Sequence, residues 1–243
     1  MTTRFQFTTQ PREGTETGTL FALYPHQWRN AASPLLPLSY HSVRGAMKLG
    51  AGREFVTTMK FPGVLPALPK VASQDSAKME AAFAQDFAKP VNLTGDTYAA
   101  GKQLGKLATA IPIAEAHGLT QRAADLRAQL QRGLENWFTA TNATTTSKAR
   151  GLFYYDEKLG TLIGYPASFG SDTELNDHHF HYGYFIKAAA ELARYDPAWG
   201  GDARFGGLVK LLIRDTVSPD HEDKMFPFLR CFDPYAGHSW ASG

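Results

Sequence analysis

The apolar positions change period once along the chain. Between residues 4 and 61 they alternate with polar ones, as in Arg4-Phe5-Gln6-Phe7-Thr8, or form short β-branched runs such as 19–24 and 54–60. Period-two patterning broken by turn-rich stretches predicts strands. Pro62, Pro66 and Pro69 then remove three backbone donors within ten residues, so 61–70 is expected to be an extended connector and a domain boundary. Beyond Ser73 the spacing becomes three and four. A helix capped by Ser73 is predicted over 73–88. A second, capped by Asp96 and stopped at Gly118, carries Leu104, Leu107, Ala108, Ile111 and Ala114 as one stripe, with Pro112 inside it. A third, over 120–140, buries Ala123, Leu126, Leu130, Leu134 and Trp137, and the short turn before it requires an antiparallel hairpin. A second pair follows at 174–194 and 204–216. The links 150–172 and 218–243 are rich in Gly, Pro and aromatic residues, and such long links are where chemistry is expected.

Composition narrows the function classes. Lys and Arg number 25 against 23 Asp and Glu, with no block of like charge, so nothing favours a nucleic-acid partner. The longest apolar runs fall far short of the roughly 18–20 residues of a membrane span, and no membrane partner is expected. The first residues lack the profile of an export signal, so no signal peptide is expected in this chain. Cys231 is the single cysteine, which leaves no internal disulfide and no multi-cysteine zinc site.

The densest chemistry is Asp172-Thr-Glu-Leu-Asn-Asp-His-His-Phe-His-Tyr-Gly-Tyr184. If the helix opens at 174, then Glu174, Asp177, His178 and His181 share one ionisable face, opposite Leu175, Tyr182 and Ile186. Three readings of the histidines stay open. Two imidazoles one turn apart with a carboxylate resemble a metal site, though no HExxH pattern is present. Histidines hydrogen-bonded among aromatic rings are the structural alternative. The third reading is catalysis, with Asp177 one turn before His181 in a polar cleft walled by aromatic platforms, an arrangement suited to sugar rings. A second cluster, Arg230 to Gly243, holds Asp233, His238, Ser239 and Trp240 but no GxSxG elbow.

The run Gly170-Ser-Asp-Thr-Glu-Leu-Asn-Asp-His-His-Phe-His-Tyr-Gly-Tyr184, with Asp196-Pro-Ala-Trp199, Arg214-Asp215, Phe226-Pro-Phe-Leu-Arg230 and Phe232-Asp-Pro-Tyr-Ala-Gly-His-Ser-Trp-Ala-Ser-Gly243, resembles glycoside hydrolase family 81, the endo-β-1,3-glucanases. Asp96-Thr97-Tyr98, Gly101-Lys102 and Tyr154-Tyr155-Asp156 extend the likeness over most of 65–243. The first sixty residues resemble the family more loosely.

That resemblance implies a mainly α fold, part of an (α/α) toroid of six helical hairpins, preceded by a few strands from the end of a β-sandwich. The expected divisions are 1–61 as the sandwich remnant, 62–95 as a linking region with a short helix, and 96–243 as the first part of the toroid. It also implies inverting, endo-acting hydrolysis of β-1,3-glucan without metal or other cofactor. Asp177 stands where the family has its general acid. His179, His181, Tyr184, Asp233, His238 and Trp240 are the expected substrate contacts. The family's paired glutamates, on a Glu-Ser-Ser-Ser-Glu segment, have no counterpart here, so the chain is expected to be an internal fragment of a secreted glucanase. A non-catalytic glucan-binding module and a metal-dependent hydrolase using His178 and His181 are the alternatives.

Overall fold

The computed structural model describes residues 2–60 and 67–240. The chain divides into two units, residues 1–64 with 233–238 and residues 65–232 with 239–243. The connector expected over 61–70 lies largely outside the described residues, and 67–72 carry neither helix nor strand.

The first unit is built from the predicted strands. Strand β1 (Thr2–Gln6) pairs antiparallel with β5 (Glu54–Thr58), while β2 (Thr19–Leu23), β4 (Gly45–Gly52) and β3 (Ser39–Ser42) form a second antiparallel sheet in the order β2-β4-β3. Alternation sends Phe21, Leu23 and Phe55 into one core, which Phe5, Phe7 and Trp28 flank. Opposite Phe21 stands Gly50, where an added Cβ would lie 2.3 Å from the ring, so only glycine admits that ring. One short helix was not predicted: α1 (Pro25–Trp28) starts on a proline, whose fixed φ suits a first helical position.

Helices make the second unit, and across the chain helix outweighs strand by about 37% to 20%, a mainly α fold. A 3₁₀ turn at Ser73–Asp75 leads into α2 (Ser76–Asp86). Helix α3 (Thr97–Ala116) is capped by Asp96, whose carboxylate accepts the Ala99 amide at 2.8 Å. It turns at Gly118 into α4 (Thr120–Trp137). The predicted stripes of α3 and α4 are fully buried against each other, with α5 (His178–Tyr195) completing the core through Tyr182, Phe185, Ala188 and Leu192. Lys148 closes the end of α4 by donating to the carbonyls of Asn136, Thr139 and Gly151.

Two expectations are corrected. Residues 150–165 are not an irregular link but a hairpin of β6 (Leu152–Asp156) and β7 (Thr161–Tyr165), with Asp156 accepting the Lys158 and Leu159 amides in its turn. Tyr182 docks this hairpin on α5, its hydroxyl donating to Leu162 O at 2.8 Å and accepting from Gly164 N at 3.2 Å. The helix expected from 174 begins only at His178, because Leu175 and Asp177 take left-handed backbone that a helix cannot continue through.

Helix α6 (Gly206–Val217) ends on a charged clasp. Asp223, nearly inaccessible, accepts Arg214 Nη2 at 2.7 Å and Nε at 3.0 Å, Ser218 Oγ at 2.8 Å and the Met225 amide at 3.0 Å. The Arg214 hydrogen bond chiefly holds its carboxyl well below the usual carboxylate range. A depressed folded value means stability that is present above the unfolded value of about 4 and lost as pH falls below it. Asp223→Asn is therefore expected to lower the melting temperature at pH 7, with the gap to wild type closing between about pH 4 and 2. A gap that stays constant over that range would exclude the linkage.

Candidate active site

The loop between β7 and α5 departs from ordinary backbone at four positions: Phe169 (φ 53°), Gly170 (φ 72°), Leu175 (φ 55°) and Asp177 (φ 57°). Left-handed geometry is tolerated by Gly and Asp but costs about 1–3 kcal/mol at a bulky residue such as Phe or Leu. The loop is tied internally by Ser171 N to Ser168 O (3.1 Å), Glu174 N to Gly170 O (2.9 Å) and Asn176 N to Gly170 O (3.3 Å).

Asp177 stands at the mouth of α5. Its carbonyl accepts the amides of Phe180 (3.0 Å) and His181 (2.8 Å) and so starts the helix. Its carboxylate makes no capping bond, although an aspartate in that place ordinarily does. The left-handed φ, ψ of 57°, 19° accompanies this uncapped, half-buried carboxylate.

The histidines behind it do not share one solvent face. His178 and His181 are both buried, because with Tyr182 and Phe185 they fall at spacings of three and four on the face of α5 that enters the core. His178 Nδ1 lies 2.6 Å from Asp215 Oδ2, and its Nε2 lies 2.7 Å from Ser171 O. With both nitrogens engaged, His178 has no lone pair for the metal reading. No group of three or more His, Cys, Asp or Glu able to hold a metal ion gathers among the described residues. Asp215 also accepts Thr161 Oγ1 (2.7 Å), Leu162 N (2.9 Å) and Arg230 Nη2 (3.0 Å).

His181 bonds Thr97 Oγ1 through Nδ1 at 2.9 Å, while its buried Nε2 has no partner among the described residues. Burial lowers its pKa, and that of His179, which is partly exposed. Around His181 stand Tyr98 (centroids 5.5 Å), Phe169 (6.0 Å) and Phe180 (6.2 Å), and Phe180 touches Tyr184 at 5.4 Å. Phe169 and Phe180 are 64% and 45% exposed, so the cluster offers ring faces to solvent beside Asp177. Tyr184 also borders a groove of about 520 Å³ with Phe83, Lys102, Lys106 and Lys187.

Of the expected contacts, His181 and Tyr184 thus join the ring cluster beside Asp177, and His179 lies on the same first turn of α5. Asp233 and His238 belong to the first unit. There Asp233 accepts the Tyr235 and Ala236 amides at 2.8 and 2.9 Å, and His238 Nε2 faces Arg44 Nη2 at 2.6 Å. Trp240, in the second unit, is half exposed and donates its amide to Cys231 O at 3.0 Å. Sequence reasoning did not single out Phe169, Phe180 or the Asp215–Arg230 pair. Phe180 had a signal: with His178 and His181 turned inward, the two residues between them, His179 and Phe180, fall on the outer side of the helix.

Residues 70–243 match the C-terminal domain of glycosyl hydrolase family 81. A glucan endo-1,3-β-D-glucosidase of Thermobifida fusca is 47% identical over the whole chain, which covers 32% of that relative. One from Acetivibrio thermocellus is 48% identical, with 31% of it covered. A solved family 81 structure from Clostridium thermocellum superposes with a TM-score of 0.76 at 47% identity, over 100% of this chain and 34% of that one. The chain thus spans about a third of the length of the relatives it matches. The matched region contains the Asp177 turn, the buried His178 and Asp215 and the ring cluster, and the chain belongs to glycoside hydrolase family 81.

Proposed function

We propose that this chain carries the proton-donating side of an active site that cleaves internal β-1,3-glucosidic bonds with inversion. Asp177 is the general acid. Its half-buried carboxylate, unused by the helix it opens and flanked by exposed rings, is the observation that carries the reading. Protonating a glycosidic oxygen needs a carboxyl group at a site that also grips the sugar, and aromatic faces with nearby polar groups do that. His179, His181, Tyr184, Asp233, His238 and Trp240 contact the glucan in this reading. The base that activates water sits about 6.5–9.5 Å from the acid in an inverting enzyme; we assign it to glutamates outside these 243 residues. The helical hairpins then form the first part of an (α/α) toroid and the first unit the end of a β-sandwich. The proposed setting is extracellular, where the polymer lies.

The test is a hybrid in which this chain replaces the matching third of the Thermobifida fusca glucosidase, assayed for reducing ends and anomer formed from laminarin. Turnover giving the inverted anomer supports the reading. Binding of laminarin by a folded hybrid without turnover would leave a glucan-binding module instead. Phe180→Ala should weaken laminarihexaose binding about tenfold or more, the order of 1–3 kcal/mol that one stacked ring contributes, without lowering the melting temperature of the hybrid. Unchanged affinity in titration calorimetry would remove Phe180 from the sugar wall.

A further inference from the structure

We infer that His178 is a positioning residue: a doubly protonated imidazolium that clamps the loop carrying Asp177 onto helix α6. This rests on the reading of Asp177 as the acid and adds what holds it in place.

Hydrogen-bond stoichiometry carries the argument. Ser171 O, 2.7 Å from His178 Nε2, is a carbonyl and only accepts, so that nitrogen carries a proton. Asp215 Oδ2, 2.6 Å from Nδ1, belongs to a carboxylate whose other oxygen already takes Arg230 Nη2, Thr161 Oγ1 and the Leu162 amide. The guanidinium keeps negative charge on that group, so Nδ1 donates as well. A ring that donates from both nitrogens is cationic. The His178 and Asp215 side chains are both fully buried, so bulk solvent reaches neither.

The placement gives the clamp its consequence. Ser171 lies in the strained loop, six residues before Asp177, and Asp215 lies on α6, which Arg230 also holds by donating Nε to the Asp215 carbonyl at 2.6 Å. A bulky residue in left-handed backbone such as Leu175, two positions before Asp177, persists only where the surroundings over-determine it. His178 supplies that from the residue next to Asp177. It never needs to touch the sugar, and no metal or other ligand is required for it to act.

Two variants test this, His178→Gln, whose single amide nitrogen cannot donate at both ring-nitrogen positions because its other terminal atom only accepts, and His178→Ala. In the 243-residue chain, ¹⁵N spectra at pH 7 should show both His178 nitrogens protonated. Amide exchange of 171–177 should accelerate at least tenfold in His178→Gln while that of α3 and α4 is unchanged. In the hybrid glucosidase, His178→Gln should lose about 10–100-fold in kcat with KM within about twofold, the range seen when an outer-shell orienting group is lost. A single neutral tautomer, or wild-type exchange and kcat in folded His178→Gln, overturns the inference. Accelerated exchange combined with a hybrid whose turnover survives Asp177→Asn keeps the clamp and sinks only the assignment of the acid. If His178→Ala does not fold, the ¹⁵N result and His178→Gln decide alone.

Discussion

Asp177→Asn in the hybrid glucosidase is expected to lower laminarin turnover by about 10²–10⁴-fold, the range that a positioned general acid contributes. The substitution is nearly isosteric. Asn tolerates left-handed backbone as well as Asp does, so the turn at φ 57° and the start of α5 should survive. What it removes is the transferable proton. On a 2,4-dinitrophenyl β-laminarioside, whose leaving group departs as an anion without protonation, the loss should stay under about tenfold. KM for laminarin should change little, since the ring cluster of Tyr98, Phe169, Phe180 and Tyr184 is untouched. Equal losses on both substrates would make Asp177 a positioning group, and wild-type rates would remove it from the mechanism.

The core of the second unit was legible because long helices repeat their signal. Leu104, Leu107 and Ile111 recur along one face of α3, and Leu126, Leu130 and Leu134 along one face of α4, and all six are fully buried. Capping chemistry located the start of α3 at Asp96, since a carboxylate there satisfies an amide that no turn of helix can reach. The β6–β7 hairpin was missed for a physical reason. Every residue from Thr161 to Gly164 is buried, so β7 shows no alternation to read, and Gly164 looks like a turn residue. Its glycine instead answers a packing demand, since a Cβ there would lie 2.2 Å from Thr97 Cγ2. Four-residue α1 is too short for any period to show.

At the site, residue types were legible and their directions were not. The Asn-Asp-His-His-Phe-His run announced chemistry, but the assumed helix start at 174 put His178 and His181 on the same face as Asp177. Left-handed backbone at Leu175 and Asp177 takes Asp177 off the helix, while His178 and His181 stay on it at helical spacing from Tyr182 and Phe185 and enter the core with them. No local pattern announces a left-handed leucine, because what holds it there is tertiary: the bond from His178 to Ser171 and the anchor on Asp215, thirty-seven residues away. Asp233 has a use that its spacing did not announce, since its carboxylate also accepts the Tyr235 and Ala236 amides of its own turn.

The largest expected effect on stability is at Asp215. Asp215→Ala should destabilise the second unit by about 3–5 kcal/mol, because it leaves the His178 imidazolium and the Arg230 guanidinium buried without a counter-charge. The Thr161 hydroxyl and the Leu162 amide lose their acceptor in the same step, and those two hold the start of β7. At about 2–4 °C per kcal/mol for a domain of this size, the melting temperature should fall by about 6–20 °C. Asp215→Asn separates charge from geometry. Its carbonyl can still accept Thr161, Leu162 and Arg230, and its amide can donate to His178 Nδ1, which then becomes an acceptor in a neutral ring that keeps its bond to Ser171. The asparagine variant should therefore lose markedly less, about 1–2 kcal/mol. In a double-mutant cycle with His178→Ala, the two losses should overlap by at least about 1 kcal/mol, as expected for partners in one buried pair. Strict additivity, or an alanine variant no less stable than the asparagine one, would mean that the pair is not coupled and that Asp215 acts through Thr161 and Leu162 alone.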